Sequence, residues 1–147
     1  MESASAGPAG ALERGEMDWH GVRILLVEDD DDNRELMAEV LAASGCEVLS
    51  AATGREGLRL LSEQSVHVVV TDVGMPGMGG LEVARAAKAI APGVPVVVVT
   101  GWAEREDIAR ARGREVDAVL IKPVDPDALT DTVAEVLGQR AGASHAP

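Results

Sequence analysis

Acidic and cationic side chains follow apolar segments of this chain at four separate places. Glu28 and Asp29 open an acidic run after the first apolar segment, and Asp72 follows the third. Thr100 ends the fourth segment and Lys122 follows the fifth. Three carboxylates in one crevice repel one another unless a cation joins them, and hard oxygen ligands suit Mg²⁺, which also contacts phosphate. If the fold brings these residues together, the site could bind a metal ion and a phosphoryl group.

Each of these side chains also has an ordinary structural explanation. The acidic run is typical of a solvated first helical turn, where the helix dipole favours carboxylates. Asp72 could be a turn aspartate, and Thr100 could be a strand-end hydroxyl bonded to the backbone. Lys122 is harder to explain in this way, because a chain with two lysines and eleven arginines places a compact ammonium here. The joint occurrence at four segment ends therefore favours a functional site.

The elements that must position these residues recur five times as an apolar strand, a polar turn and an amphipathic helix. Three of the strands are nearly continuous Val, Ile and Leu, which is typical of parallel strands covered on both faces. The predicted strands are Val22–Val27, Glu47–Ala51, Val66–Thr71, Val94–Thr100 and Ala118–Ile121. Five such units predict an α/β fold built on a doubly wound five-stranded parallel sheet. Ligands of these sheets bind at the carboxyl ends of the strands, so Glu28 and Asp29 are expected beside Asp72.

Helix signals fit between the strands. The first helix is expected over residues 32–44, with Gly45 as its stop. The second opens with a capping-box spacing at Thr53, and the fifth opens at Asp125-Pro126. The fourth, over Ala103–Arg112, is weak because Ile108 is its only large aliphatic residue. The residues expected to face the core are Leu36, Met37, Val40 and Leu41 in the first helix, and Leu81, Val83, Ala84 and Ala87 in the third.

Bulk properties narrow the class of protein. The chain has 147 residues, of which 46% are hydrophobic, and this suits one domain with a packed core. We expect a disordered N-terminal tail over residues 1–20, the domain over 21–138 and a C-terminal tail over 139–147. The net charge of −12 argues against direct binding to nucleic acid, since the nearest basic stretch, Arg110–Arg114, ends beside Glu115.

The sequence also predicts where the protein works. No apolar run approaches the roughly 20 residues that span a bilayer, and the first residues lack the features of a secretion signal. We therefore expect a cytoplasmic protein that does not bind a membrane. The single cysteine, Cys46, is expected to be a buried thiol in a reducing compartment.

Four segments resemble the signatures of two-component response-regulator receiver domains. They are residues 24–30 (ILLVEDD), 70–82 (VTDVGMPGMGGLE), 99–101 (VTG) and 120–123 (LIKP). The resemblance implies a flavodoxin-like (βα)5 fold with strand order 2-1-3-4-5, the order of the chemotaxis receiver. It also implies a stand-alone receiver that signals by conformational change to a downstream protein target.

The resemblance implies a role for each site residue. Asp72 accepts a phosphoryl group from a phosphohistidine on a sensor histidine kinase or a histidine phosphotransfer protein. Glu28, Asp29, Asp72 and the backbone carbonyl of Gly74 hold Mg²⁺, which offsets charge on the transferring oxygens. The protein is then a signalling domain rather than an enzyme, since it catalyses only its own phosphorylation and dephosphorylation. The sequence leaves its oligomeric state open.

The same resemblance implies roles for Thr100 and Lys122, the polar residues at the ends of the fourth and fifth strands. Lys122 pairs with one phosphoryl oxygen and the Thr100 hydroxyl bonds another, while the Lys122-Pro123 bond resembles the cis peptide of the family. One position departs from the pattern: Val119 stands three residues before Lys122, where the family often has an aromatic side chain that signals by changing rotamer. The weak fourth helix is therefore predicted to be the element that phosphorylation shifts, with Trp102 as its reporter.

Three other interpretations stay open at this level. A haloacid-dehalogenase-type phosphohydrolase also forms an aspartyl phosphate, but it carries a second Asp two residues after the nucleophile, where this chain has Gly74. A pseudo-receiver would bind partners without phosphoryl chemistry, although all the matched positions have competent side chains. A phosphorelay intermediate would share every feature of this sequence with an end-point regulator.

Overall fold

Strands and helices alternate along the chain as the sequence pattern predicts. The computed structural model describes residues 17–101 and 105–144. The elements are β1 (Arg23–Val27), α1 (Asp31–Ala42), β2 (Glu47–Ala51), α2 (Gly54–Glu63), β3 (Val68–Asp72), α3 (Gly80–Ile90), β4 (Val96–Thr100), α4 (Arg105–Ala111), β5 (Ala118–Ile121) and α5 (Pro126–Ser144). Three strands begin one or two residues later than predicted, which leaves their inner residues unchanged.

The five strands form one parallel sheet in the order β2-β1-β3-β4-β5, which confirms the predicted doubly wound topology. The chain places β3 on the far side of β1 from β2, so the order reverses between β1 and β3. Ligand sites of such sheets lie at this switch point. The register pairs Val27 with Thr71 and Asp72 with Val99, so the residues that follow each strand meet at one edge.

The core is divided by the sheet into two layers, because successive strand residues point to opposite faces. In β1, Ile24 and Leu26 join the layer that also contains residues of α1 and α5. Leu25 and Val27 join the layer on the other face, together with residues of α2, α3 and α4. All residues of β3 and β4 are buried, as expected for central parallel strands rich in valine.

The helix starts follow the predicted capping chemistry. The Thr53 hydroxyl accepts a hydrogen bond from the Glu56 backbone N–H at 3.1 Å, and Glu56 accepts one from the Ala52 N–H at 3.2 Å. The reciprocal bond of the capping box thus goes to the residue before the cap. Asp125 accepts a bond from the Ala128 N–H at 3.0 Å at the start of α5. These bonds satisfy backbone donors that a helix leaves without partners.

The apolar face of α1 is narrower than predicted. Met37 and Leu41 are buried, four residues apart on one face, whereas Leu36 is 57% exposed. The prediction that Leu36 faces the core is wrong, because each residue turns the helix by about 100° and Leu36 lies beside that face. The helix ends at Ala42, and Gly45 follows with φ of 107° after a tight turn.

Both predicted tail boundaries need correction. Trp19, assigned from sequence to the disordered tail, is 6% exposed and packs in the core layer that contains α1 and α5. A large ring can gain more from burial than ordering a few residues costs. Helix α5 continues to Ser144, six residues past the expected end at 138, because Gly138 is accommodated within the helix. Residues 1–16 and 145–147 lie outside the described part of the chain.

Two smaller predictions can be compared with the structure directly. Cys46 is a buried free thiol whose Sγ lies 3.1 Å from the Leu41 carbonyl oxygen, as predicted. Burial raises the pKa of this thiol, which keeps it protonated and unreactive. Within the described residues, no helix combines the length and hydrophobicity that crossing a membrane requires.

Candidate functional site

The sheet gathers the predicted site residues at its carboxyl edge. Glu28 follows the last residue of β1, Asp72 ends β3 and Thr100 ends β4. Lys122 follows β5, and its backbone N–H bonds the Thr100 carbonyl at 2.9 Å. Because the strands are parallel and in register, four residues far apart in the sequence share one edge. The predicted juxtaposition at the switch point is therefore present.

Three carboxylates meet at this edge. One oxygen from each of Glu28, Asp29 and Asp72 lies within 4.8 Å of the others. Glu28 and Asp72 are buried, with 2% and 4% of their surface exposed, while Asp29 is open to solvent. Carboxylates held this closely suit a hard divalent cation that keeps part of its hydration shell on the exposed side. The donor set therefore fits Mg²⁺.

Asp72 has a cationic neighbour but an incomplete set of polar partners. The Lys122 Nζ lies 2.8 Å from Asp72 Oδ1. The same oxygen is buried, and apart from the Lys122 ammonium no group among the described residues donates to it. A buried carboxylate oxygen is costly to leave without hydrogen bonds. This oxygen is therefore available to a metal ion or to an incoming electrophile.

Burial and the charges of the cluster together shift the pKa values of Glu28 and Lys122. Burial raises the pKa of Glu28, the bond from the Asp30 backbone N–H lowers it, and the nearby Asp72 carboxylate raises it, with a net rise. Burial lowers the pKa of Lys122, but its contact with Asp72 and the neighbouring carboxylates raise it by more. These surroundings favour the protonated form of Lys122 and disfavour the ionised form of Glu28. A bound cation would relieve that repulsion.

The turn between β1 and α1 is held by an arginine that the sequence analysis missed. Arg34 Nη1 donates to the Glu28 carbonyl oxygen at 2.9 Å, and its Nη2 lies 2.6 Å from Asp31 Oδ1. The Asp30 backbone N–H donates to Glu28 Oε2 at 3.0 Å. These bonds fix both the backbone and the side chain of Glu28. The spacing of three residues between Asp31 and Arg34 was the available signal, but the bond to Glu28 depends on the folded turn.

Gly80 is a second residue whose role sequence alone did not reveal. A Cβ at this position would overlap the Asp72 carbonyl oxygen and lie 2.7 Å from Val73 Cα. The start of α3 therefore packs directly on the backbone that carries Asp72. Its N–H also donates to the Val73 carbonyl at 3.1 Å. The signal in the sequence was a second glycine after Gly79, at the start of a predicted helix.

The remaining predicted residues surround the carboxylates. Thr100 is buried, and its hydroxyl donates to the Gly101 carbonyl at 3.0 Å. Gly74 is exposed in the loop after β3, where a Cβ would meet nothing within 4 Å. The Lys122-Pro123 peptide is cis, as the sequence resemblance implied. Trp102, proposed from sequence as a reporter, lies outside the described residues.

Comparison with known proteins places this arrangement in a family. A family model for the response regulator receiver domain matches residues 24–134. The chain belongs to this family. Receiver domains are signalling domains of two-component systems, and the match covers β1 from Ile24 onward, the other four strands, the carboxylate cluster and Lys122.

Similar receivers occur within longer proteins of different kinds. The chain is 35% identical over 121 residues to the transcriptional regulatory protein GlrR of Escherichia coli (strain K12), covering 82% of this chain and 27% of GlrR. It is 36% identical over 111 residues to the sensor histidine kinase RcsC of Salmonella typhi, covering 76% of this chain and 12% of RcsC. The chain thus spans only a fraction of these relatives.

Solved receivers share the fold over nearly their whole length. A CheY-like response regulator receiver domain protein from Methanospirillum hungatei is 32% identical with a TM-score of 0.77, covering 81% of this chain and 95% of that chain. The response regulator TrrA from Thermotoga maritima, solved in complex with Mg²⁺-BeF, is 29% identical with a TM-score of 0.71, covering 78% of this chain and 98% of that chain.

Proposed function

We propose that this receiver accepts a phosphoryl group on Asp72 in a Mg²⁺-dependent reaction. One observation carries the proposal: Asp72 is buried, ion-paired to Lys122 and adjacent to Glu28 and Asp29, yet apart from Lys122 no group among the described residues donates to its Oδ1. A structural aspartate in such a position would normally be fully bonded. The incomplete bonding is typical of a carboxylate that acts as a nucleophile or as a metal ligand.

The residues suited to hold the metal are Glu28, Asp29 and Asp72, together with the Gly74 carbonyl implied by the family resemblance. Mg²⁺ would supply positive charge against the phosphoryl oxygens during transfer. Arg34 supports this group by fixing the Glu28 backbone, while the exposed position of Asp29 leaves the site accessible.

Three side chains of this protein have separate roles in the proposed phosphoryl transfer. A carboxylate oxygen of Asp72 attacks phosphorus, the P–N bond of the phosphohistidine breaks, and the histidine nitrogen keeps the electron pair. Lys122 holds its ammonium beside the reacting carboxylate and would pair with a phosphoryl oxygen. The Thr100 hydroxyl would exchange its bond to the Gly101 carbonyl for one to the phosphoryl group. The product is an aspartyl phosphate.

The partners proposed for the receiver are a sensor histidine kinase or a histidine phosphotransfer protein upstream, and a protein target downstream. The similarity to receiver segments of a transcriptional regulator and of a sensor histidine kinase supports a role in phosphorelay signalling. The proposal keeps the cytoplasmic location predicted from sequence. The signal would leave through α4, the short helix that follows the strand ending in Thr100.

Intact mass measurement tests the phosphoacceptor. Acetyl phosphate with Mg²⁺ should add one phosphoryl group to the protein, and EDTA or the change Asp72→Asn should abolish the addition. Asp32→Asn is the matched control, because Asp32 is an exposed aspartate in the same acidic run, and this variant should still be labelled. Stable labelling of the Asp72→Asn variant would refute the assignment.

The same experiment separates the pseudo-receiver alternative. A pseudo-receiver would show no labelling under any condition, even where Mg²⁺ stabilises the fold. The phosphohydrolase alternative is not favoured, because Gly74 stands where the general acid would be required.

A further inference from the structure

A cavity of about 460 Å³ lies between α3 and the end of α4. Three arginines, one glutamate and two apolar residues line it. These residues are Leu81, Arg85, Arg110, Ala111, Arg114 and Glu115. None of them belongs to the proposed phosphoryl site. The volume lies in the range of small-molecule sites, which is about 300–1,000 Å³.

The arginine from α3 is oriented by Glu115, the acidic residue among the described residues that line the cavity. Arg85 Nε lies 3.1 Å from Glu115 Oε1, and Glu115 is the less exposed partner, with 23% of its side chain accessible against 63% for Arg85. The two Nη groups of Arg85 have no bond to any described side chain or backbone atom. A guanidinium anchored through Nε presents its remaining donors as a fork, the geometry that binds a phosphate in two places.

A second arginine faces the cavity from the turn before β5. Arg114 is exposed, and its side chain has no ion-pair or hydrogen-bond partner within the described part of the chain. Arg85 and Arg114 are brought together only by folding, since they lie on different elements. Because both guanidinium groups line the same cavity, one bound anion would contact them together.

The excess positive charge is unusual for this protein. The whole chain carries −12, yet the described residues that line this cavity include three arginines and one glutamate. A cation near the carboxyl end of α4 complements the helix dipole, which accounts for Arg110. That explanation does not extend to Arg85, which comes from α3. The cavity is thus a cationic site on an acidic protein.

We propose that this cavity binds a small molecule with two or more phosphate groups. The fork of Arg85 and the guanidinium of Arg114 would each contact phosphate oxygens, while Leu81 and Ala111 would contact an uncharged part of the ligand. A concave site of this volume suits a small anion better than it suits the flatter surface of an acidic protein partner. The site is separate from Asp72 and does not depend on the proposed phosphoryl transfer.

Isothermal titration of the full chain with inorganic pyrophosphate and with ADP tests the site. EDTA in the buffer keeps Mg²⁺ from the carboxylate cluster. Each probe should bind saturably at one site. Arg85→Gln and Arg114→Gln should each weaken binding about tenfold, because each removes a charge-assisted contact, and the double variant should show none. Arg59→Gln is the matched control: Arg59 is an exposed arginine on α2, paired with Glu63, and its loss should change nothing.

Three results would overturn the proposal. Absence of saturable binding of both probes to the unmodified chain would remove the site. An equal loss of affinity in the Arg59→Gln variant would show that the anions respond to overall charge only. Saturable binding of an oligoglutamate peptide, with no binding of either probe, would assign the surface to an acidic protein partner instead.

Discussion

Helices α1 and α4 both follow strand ends that contribute to the site, but the protein holds them in different ways. Helix α1 has 12 residues, a side-chain cap from Asp30 at 2.8 Å and two large buried residues, Met37 and Leu41. It also packs against β1, β2 and α5. Helix α4 has 7 residues, and Ile108 and Ala111 are the buried residues among those of its side chains that are described.

This difference in packing predicts different roles for the α1 side and the α4 side of the site. Helices shorter than about 12 residues are marginal on their own and depend on the apolar face that they bury. Helix α1 buries such an apolar face, so the carboxylates that precede it are held in place before a phosphoryl group arrives. Helix α4 buries less, so it should open locally at a small free-energy cost. An element of this kind can change its state when a phosphoryl group arrives.

The largest expected effect is on global stability. Leu41→Ala should lower the free energy of unfolding by about 2–5 kcal/mol, because it leaves a cavity in the α1 layer. Ile108→Ala should cost roughly 1 kcal/mol or less, because an element that opens locally adds little to the global value. Urea unfolding of both variants measures the contrast. Equal losses would show that α4 is as firmly fixed as α1.

Hydrogen exchange measures the same contrast without a mutation. In the metal-free protein, the amides of Arg105–Ala111 should exchange about a hundredfold faster than those of the inner turns of α1, a difference of about 2.7 kcal/mol in opening free energy. Mg²⁺ with beryllofluoride should slow α4 and leave α1 almost unchanged. Exchange in α4 as slow as in α1, and unaltered by the mimic, would contradict the assignment. Because Trp19 is buried near α1, tryptophan emission does not report on α4 alone.

Mg²⁺ should stabilise the folded protein by binding to the carboxylates beside α1. At tenfold excess over its dissociation constant, a ligand that binds only the folded state adds about 1.4 kcal/mol. Asp29→Ala should remove most of the resulting rise in melting temperature, whereas Asp32→Ala should keep it, since Asp32 lies outside the cluster. A melting temperature that does not change across a wide range of Mg²⁺ would count against the metal site.

The smallest expected effect concerns Glu28. Its pKa is raised in the folded state, so its contribution to stability is present below the ordinary glutamate pKa, about 4.3, and is lost as pH rises through the folded value. Glu28→Gln should therefore stabilise the metal-free protein at neutral pH and flatten the dependence of its melting temperature on pH. Glu39→Gln, an exposed change on α1, is the control. An unchanged pH profile in Glu28→Gln would show that Glu28 carries no such penalty.

The sequence alone determined the sheet and the residues at its carboxyl edge. Valine-rich runs that alternate with helical segments are typical of central strands in a parallel sheet, and β3 and β4 are buried throughout. Polar residues that end such strands must share one edge. For this reason the sequence predicts that Glu28, Asp72 and Lys122 lie together.

Other features were decided by tertiary contacts between residues that no local pattern connects. Trp19 is assigned to the core by its packing in the layer that contains α1 and α5, and the exposure of Leu36 depends on how α1 is rotated against the sheet. The overlap that excludes a side chain at Gly80 involves the backbone of another element. The pairing of Arg85 with Glu115 joins residues 30 positions apart. Sequence periodicity reports the burial of a position averaged over its element, whereas these contacts depend on the distances between elements after packing.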